Sequence, residues 1–124
     1  MFIENWSPIK HLSTTPQLAN WMSGIVAFGI IWLSLTPLPE LPDVPGTDKT
    51  HHIVAYAILA IPTAFAYPKR ILVMAFTYIL LGGMIELIQP FVCRYGEWLD
   101  FTANLSGVIF GSFIGLLLNE SFKN

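Results

Sequence analysis

Four apolar stretches, separated by short connections rich in polar residues or proline, set the main constraint on how this 124-residue chain can fold. They cover roughly residues 19–36, 50–67, 70–88 and 101–118. A helix needs about 20 apolar residues to cross a bilayer core, so each stretch is near the lower limit for a span. Because the stretches use most of the sequence, we predict a single domain over residues 1–124, an all-α membrane protein with a four-transmembrane-helix bundle.

Composition and charge agree with a membrane protein and exclude one class of partner. The chain is 54% hydrophobic and 11% charged, far from the balance of a soluble domain. A formal net charge of -2 offers no basic surface, so we expect no nucleic-acid partner. With four spans, both termini share one side, which holds Lys10, Lys69, Arg70 and Lys123. Only Lys49 and Arg94 lie on the other side, so the positive-inside rule predicts cytoplasmic termini.

Polar residues gather at the membrane face where the first and third spans end and the second and fourth begin. Within the helices they are spaced to share faces, at i, i+4 and i+8 in the second span, i, i+3 in the third and i, i+4 in the fourth. Ionisable groups in a membrane are costly and usually face a bundle interior or a wet cavity, which makes them functional candidates. The residues that we predict to bind a substrate are Asp48, Lys49, His52, Tyr56, Glu86, Gln89, Arg94, Asp100 and Asn104.

Several of these residues have a structural interpretation beside the functional one. Asp48 and Asp100 are placed to be helix N-caps, but two helix N-termini with Lys49 and Arg94 nearby could also hold an anionic group. His52 fits either a hydrogen bond between helices or a general base oriented by a carboxylate. Glu86 fits either an ion pair or proton and substrate handling. His52, Glu86 and Asp100 are therefore the catalytic candidates, and whether the protein is an enzyme stays open.

Other kinds of site have little support in the sequence. His51 and His52 are adjacent and point about 100° apart on a helix, without the spacing of paired metal ligands, so we expect neither a metal nor another cofactor. Gly107, Gly111 and Gly115 form a small-residue stripe, which predicts close helix packing inside the bundle or in a homodimer.

The segment "DKTHHIVAY", with Asp48, Lys49, His52 and Tyr56, resembles a motif of the VanZ-like family of small integral membrane proteins. The segment "IELIQ", with Glu86 and Gln89, matches a second motif. A third motif follows in order, and its matching residues are Arg94, Asp100, Asn104, Gly107 and Gly111. The extra His51 and the loop "CRYGEWLD" depart from the family pattern. The resemblance covers roughly residues 30–118 and implies a multi-pass protein of the bacterial cytoplasmic membrane, with a link to resistance against the glycopeptide teicoplanin.

The position and charge of the polar residues favour recognition of a polar or anionic lipid, or of a lipid-linked cell-envelope precursor, at the outer face. One alternative is an enzyme that acts on a phospholipid or polyprenyl-phosphate head group, with His52 as general base. Another is a small proton-coupled transporter that uses Glu86, although this glutamate lies late in its span and the polar residues open to one face only.

Overall fold

The computed structural model describes residues 8–37, 47–92, 94 and 96–123, with side chains from residue 16 to residue 122. Within these ranges the chain is helical and has no strand, which confirms the predicted all-α class. Two short 3-10 helices, Pro68–Arg70 and Gln89–Val92, flank the third long helix. The long helices are α1 (Pro8–Ser34), α2 (Asp48–Ala66), α3 (Ile71–Ile88) and α4 (Trp98–Lys123).

Among the described residues, three segments are long and apolar enough to cross a membrane, namely Pro16–Ser34, Pro68–Val92 and Trp98–Phe122. Their outer surfaces carry large apolar side chains, such as Trp21 in α1 and Leu72 in α3, which are 72% and 81% exposed. An apolar surface of this kind suits contact with lipid and indicates membrane association.

Helix α2 is not among these three, although its 19 residues would be sufficient in length. Its first turns contain Asp48, Lys49 and two histidines, which lower its mean hydropathy. It is also the helix that packs against all three others, most extensively against α4. His52 at its polar start is mostly covered by protein, whereas Asp48 and Thr50 in its first turn are exposed.

The helical segments continue beyond the last two apolar stretches that hydropathy marks in the sequence. The apolar segments around α3 and in α4 each contain 25 residues. Hydropathy marks only the most apolar part of a helix, whereas backbone hydrogen bonding continues into its polar ends.

One face of α4 determines how closely it approaches α2. Gly107, Gly111 and Gly115 all face α2, where an added Cβ on any of them would overlap the α2 backbone or a side chain. At Gly111 the added atom would lie 2.7 Å from the Cα of Ala57 and closer still to its carbonyl oxygen. The glycine stripe is thus used for packing within the chain, so a homodimer would need a different surface.

The two helices run in the same direction, and their contacts advance along both helices together. Near their N-termini Lys49 pairs with Asp100, one turn further His52 contacts Asn104, and below these Ala57 meets Gly111. The face of α4 that carries the glycines therefore also carries Asp100 and Asn104. The interface between α2 and α4 therefore contains both the close glycine contacts and the polar contacts.

We predict that Gly111→Ala lowers the free energy of unfolding by about 1–3 kcal/mol, because the new methyl group would have to displace helix backbone. Gly24→Ala is the matched control, since a Cβ at Gly24 would meet nothing within 4 Å. Thermal unfolding of both variants in one detergent, followed by circular dichroism, measures the difference. Equal melting temperatures would contradict the proposed helix contact.

Candidate functional site

The candidate site lies at the end of the bundle where α2 and α4 begin and where α1 and α3 end. It contains polar side chains from α2, α3 and α4 and from the connection before α4. We call this group the polar cluster, and it consists of Asp48, Lys49, His52, Glu86, Glu97, Asp100 and Asn104.

Lys49 joins α2 to the start of α4. Its Nζ donates to Asp100 Oδ1 at 2.9 Å and to Glu97 Oε2 at 3.0 Å. Asp100 is only 3% exposed, so the ammonium compensates a carboxylate that is otherwise removed from water. The hydrogen bonds to Asp100 and Glu97 raise the pKa of Lys49 above its ordinary value of 10.5. Lys49 therefore stays charged at neutral pH. As far as its protonation is concerned, the ion pair is lost only when the pH rises above the ordinary pKa of a lysine.

The predicted capping roles of Asp48 and Asp100 are wrong. The N-cap of α2 is Thr47, whose side chain accepts from the backbone N–H of Thr50 at 3.1 Å. The backbone N–H groups of Asp100 and Phe101 both donate to the carbonyl of Glu97, so Asp100 lies within the first turn of α4. Both aspartates still benefit from the positive end of a helix dipole. Their carboxylates, however, face side chains of the cluster.

His52 is held in place by Asn104. Its Nδ1 lies 2.6 Å from Asn104 Oδ1, and because an amide oxygen only accepts, Nδ1 is the donor. The other ring nitrogen, Nε2, is 3.7 Å from Asp48 Oδ2 and 4.0 Å from Asp100 Oδ2. One turn deeper, the buried Tyr56 packs beside Gly82 and Gly107, which have no side chain to exclude its ring.

Glu86 brings α3 into the cluster. Its Oε2 accepts from the backbone N–H of Glu97 at 3.1 Å, just before α4 begins. The close approach requires Gly96, where a Cβ would collide with the carbonyl oxygen of Glu86. The other carboxylate oxygen, Oε1, is buried and has no hydrogen-bond partner among the described residues. Asn104 Nδ2 and Gln89 Oε1 are likewise buried without a hydrogen-bond partner among the described residues.

Gln89 and Arg94 point their donors at the end of α1. Gln89 Nε2 donates to the carbonyl of Ser34 at 3.1 Å. One guanidinium nitrogen of Arg94 donates to the carbonyls of Leu33 at 2.8 Å and Thr36 at 3.0 Å. The last carbonyls of a helix have no partner within it, so these two side chains cap α1.

A laterally open cavity of about 480 Å³ adjoins the polar cluster between α3 and α4. Its walls are mostly apolar, but Glu86 and Glu97 line it together with Gly96. We call this cavity the groove. Its other lining residues are Ile79, Leu80, Gly83, Met84, Leu87, Pro90, Trp98 and Phe101.

The structure thus brings together most of the predicted site residues, while Gln89 and Arg94 are engaged with α1. Glu97 was not among the predicted site residues, although its charge and its place before a helix were visible in the sequence. It also missed the groove, because α3 is apolar on every side and no periodicity marks one face.

Three members of the polar cluster are also arranged as metal ligands would be. One ligand atom each from Asp48, His52 and Asp100 lies within 4.8 Å of the other two. His51 and His52 lack the spacing of paired ligands on one helix, but Asp100 adds a ligand from a second helix.

No family model matches the chain, and comparisons with curated proteins and with solved structures found no match.

We predict that Lys49→Met destabilises the protein because it leaves Asp100 buried without its counter-charge. Adding Asp100→Asn should restore part of the lost stability, since a neutral amide needs no ammonium beside it. Thermal unfolding in detergent compares the single and double variants. Lys69→Met, at the exposed turn before α3, is the control for loss of a lysine. A double variant that melts below Lys49→Met would show that the pair does not have this role.

Proposed function

We propose that this protein is a VanZ-like integral membrane protein that recognises the polar head group of a membrane lipid or a lipid-linked cell-envelope precursor. The observation that carries the proposal is the junction of the polar cluster with the groove, through Glu86 and Glu97. A lipid has the matching form, with a polar head joined to an apolar chain. The head would lie at the cluster and the chain in the groove.

The groove is suited to a chain that arrives from the side. It is open between two helices whose outer surfaces are apolar, and Leu80, Met84 and Leu87 on its α3 wall are at least half exposed. A ligand could enter from the bilayer without transferring its apolar part through water. A purely soluble ligand would gain little from such walls.

The charges of the cluster restrict what kind of head group fits. Lys49 is paired with two carboxylates, and Arg94 donates to the carbonyls of α1. Neither cation is therefore available to an anionic head group at low cost. The carboxylates of Asp48 and Glu86 have no lysine or arginine partner among the described contacts. A zwitterionic or hydroxyl-rich head group fits directly, and an anionic one requires an additional positive charge.

In this proposal α2 also crosses the membrane, which gives four spans together with the three apolar segments. The polar cluster then faces the outside of a bacterial cytoplasmic membrane. The central position of α2, which packs against the three other long helices, supports its inclusion. The surplus of Lys and Arg on the opposite side supports cytoplasmic termini. Six of the residues that carry the VanZ-like resemblance belong to the polar cluster, and the resemblance would make glycopeptide tolerance a consequence of binding an envelope precursor.

Topology can be tested with single cysteines in a Cys93→Ser background. We expect Thr50→Cys, in the exposed first turn of α2, to react with a membrane-impermeant maleimide added to intact spheroplasts. Lys69→Cys, in the exposed turn before α3, should react only after the membrane is opened. Reaction at both positions in intact spheroplasts would rule out a membrane-spanning α2, and the reverse pattern would invert the orientation.

Lipid recognition can be tested by native mass spectrometry of gently solubilised protein. We expect the wild type to retain one class of lipid selectively, and Gly83→Leu to lose it by at least about tenfold, which corresponds to about 1.4 kcal/mol. The reason is that a Cβ at Gly83 would meet only Phe101, at 3.4 Å, so the longer side chain extends into the groove.

Gly24→Leu is the matched control, because it adds the same side chain to an open position on α1. Glu86→Gln tests the polar end of the proposed site. It should reduce retention of the same lipid class that Gly83→Leu loses. If expression of the wild type protects cells against teicoplanin, both groove and cluster variants should lose that protection. Unselective lipid in the wild type, or full retention in Gly83→Leu, would refute the proposed function.

A further inference from the structure

We propose that Asp48, His52 and Asp100 form a binding site for one divalent transition-metal ion, such as Zn²⁺ or Mn²⁺. The candidate ligand atoms are His52 Nε2 and one carboxylate oxygen from each aspartate, Oδ2 in the two contacts at 3.7 and 4.0 Å. Ligand atoms about 2.1 Å from a tetrahedral ion lie about 3.4 Å from one another. Small rotations of the side chains would bring these atoms to that spacing.

The orientation of His52 is what a metal site requires. Because Nδ1 donates to Asn104 Oδ1, the lone pair of a neutral imidazole is on Nε2, which faces the two carboxylates. A lone pair aimed at acceptor oxygens is unfavourable unless a positive group lies between them. Histidine ligands to metals typically donate their other ring nitrogen to an acceptor that fixes the imidazole in this way.

Asp100 is oriented by a partner of its own. Lys49 donates to Oδ1, which leaves Oδ2 directed towards His52. The Asp100 side chain is 5% exposed and that of His52 is 10% exposed, whereas the Asp48 side chain is 60% exposed. The site therefore has two fixed, buried ligands and one at the surface, where an ion could arrive from water.

An independent observation comes from Glu86, which is not among the three ligands. It is more than nine-tenths buried, and the negative charge of Asp100 acts on its carboxyl group. Its Oε1 has no hydrogen-bond partner among the described residues, which is costly for a buried carboxylate oxygen. A divalent ion bound by Asp100 and His52 would offset this accumulation of negative charge.

The donor set determines the class of ion and what the ion could do. One imidazole nitrogen and two carboxylate oxygens suit a borderline ion such as Zn²⁺ or Mn²⁺ better than Ca²⁺, which prefers six or more oxygens. Three protein ligands leave at least one coordination position open. If the proposed lipid recognition holds, a phosphate oxygen of the head group could take that position, and the ion would supply the positive charge that Lys49 and Arg94 do not.

The test is a titration of the tag-free full chain with Mn²⁺ in detergent, after treatment with a chelator, followed by electron paramagnetic resonance. We expect one saturable site per chain, a nitrogen coupling from an imidazole in the pulsed spectrum, and displacement by Zn²⁺. His52→Ala should remove the nitrogen coupling and weaken binding by at least about 100-fold. Asn104→Ala should weaken metal binding by roughly 10–100-fold, because His52 loses the acceptor that orients its ring.

His51→Ala is the matched control, because it removes the adjacent imidazole and should leave both affinity and coupling unchanged. Asp100→Asn, which keeps the shape of the side chain, provides a second ligand variant, and melting temperatures show whether each variant is folded. Absence of a saturable Mn²⁺ or Zn²⁺ site in the wild type, or unchanged binding in folded His52→Ala and Asp100→Asn, would overturn the inference.

The metal measurement needs no lipid, so it separates the two proposals. Metal binding without selective lipid would uphold the metal site and refute lipid recognition. Selective lipid that survives chelation, with no saturable metal site, would uphold lipid recognition and refute the metal site.

Discussion

The close contact between α2 and α4 is the feature on which the rest of the structure depends. Three glycines on α4 allow its backbone to approach that of α2 over most of the length of the interface. The two helices run in the same direction, so this contact fixes their register as well as their separation. That register places Asp100 opposite Lys49 and Asn104 opposite His52, at distances of 2.9 and 2.6 Å. A shift of one helical turn, about 5.4 Å, would break both contacts.

Electrostatics explains why the polar cluster can exist next to an apolar bundle, and also why it is not fully compensated. The N-terminal ends of α2 and α4 meet at the cluster and contribute the positive ends of two helix dipoles. Lys49 adds a formal charge, which Asp100 and Glu97 share. Asp48 and Glu86 remain without a lysine or arginine among the described contacts. The cluster is therefore better suited to a positive group, or to a head group that brings one, than to a bare anion.

Much of this arrangement could be predicted from the sequence because it follows from alternation. Helices that cross a bundle in turn must bring the end of one span next to the start of the next, and the polar residues at those ends identify the shared face. The pairing of Lys49 with Asp100 could not be predicted in detail, because it depends on the rotation of two helices. The capping of α1 by Gln89 and Arg94 depends on the path of the connection between α3 and α4, for which hydropathy carries no information. The groove was hidden for a different reason, since a helix that is apolar on every side gives no sign of which side lacks a neighbour.

Glu97 connects the parts of the site that the sequence left separate. Its backbone N–H donates to Glu86, its carboxylate accepts from Lys49, and the residue lines the groove. A ligand that displaced this side chain would take one of the two hydrogen bonds from Lys49 but leave the bond to Asp100. Asp100 would thus stay neutralised while the carboxylate of Glu97 became free to contact the ligand. Glu97 therefore joins the groove to the polar cluster, and a ligand in the groove that moved this side chain would change the charge that the cluster presents.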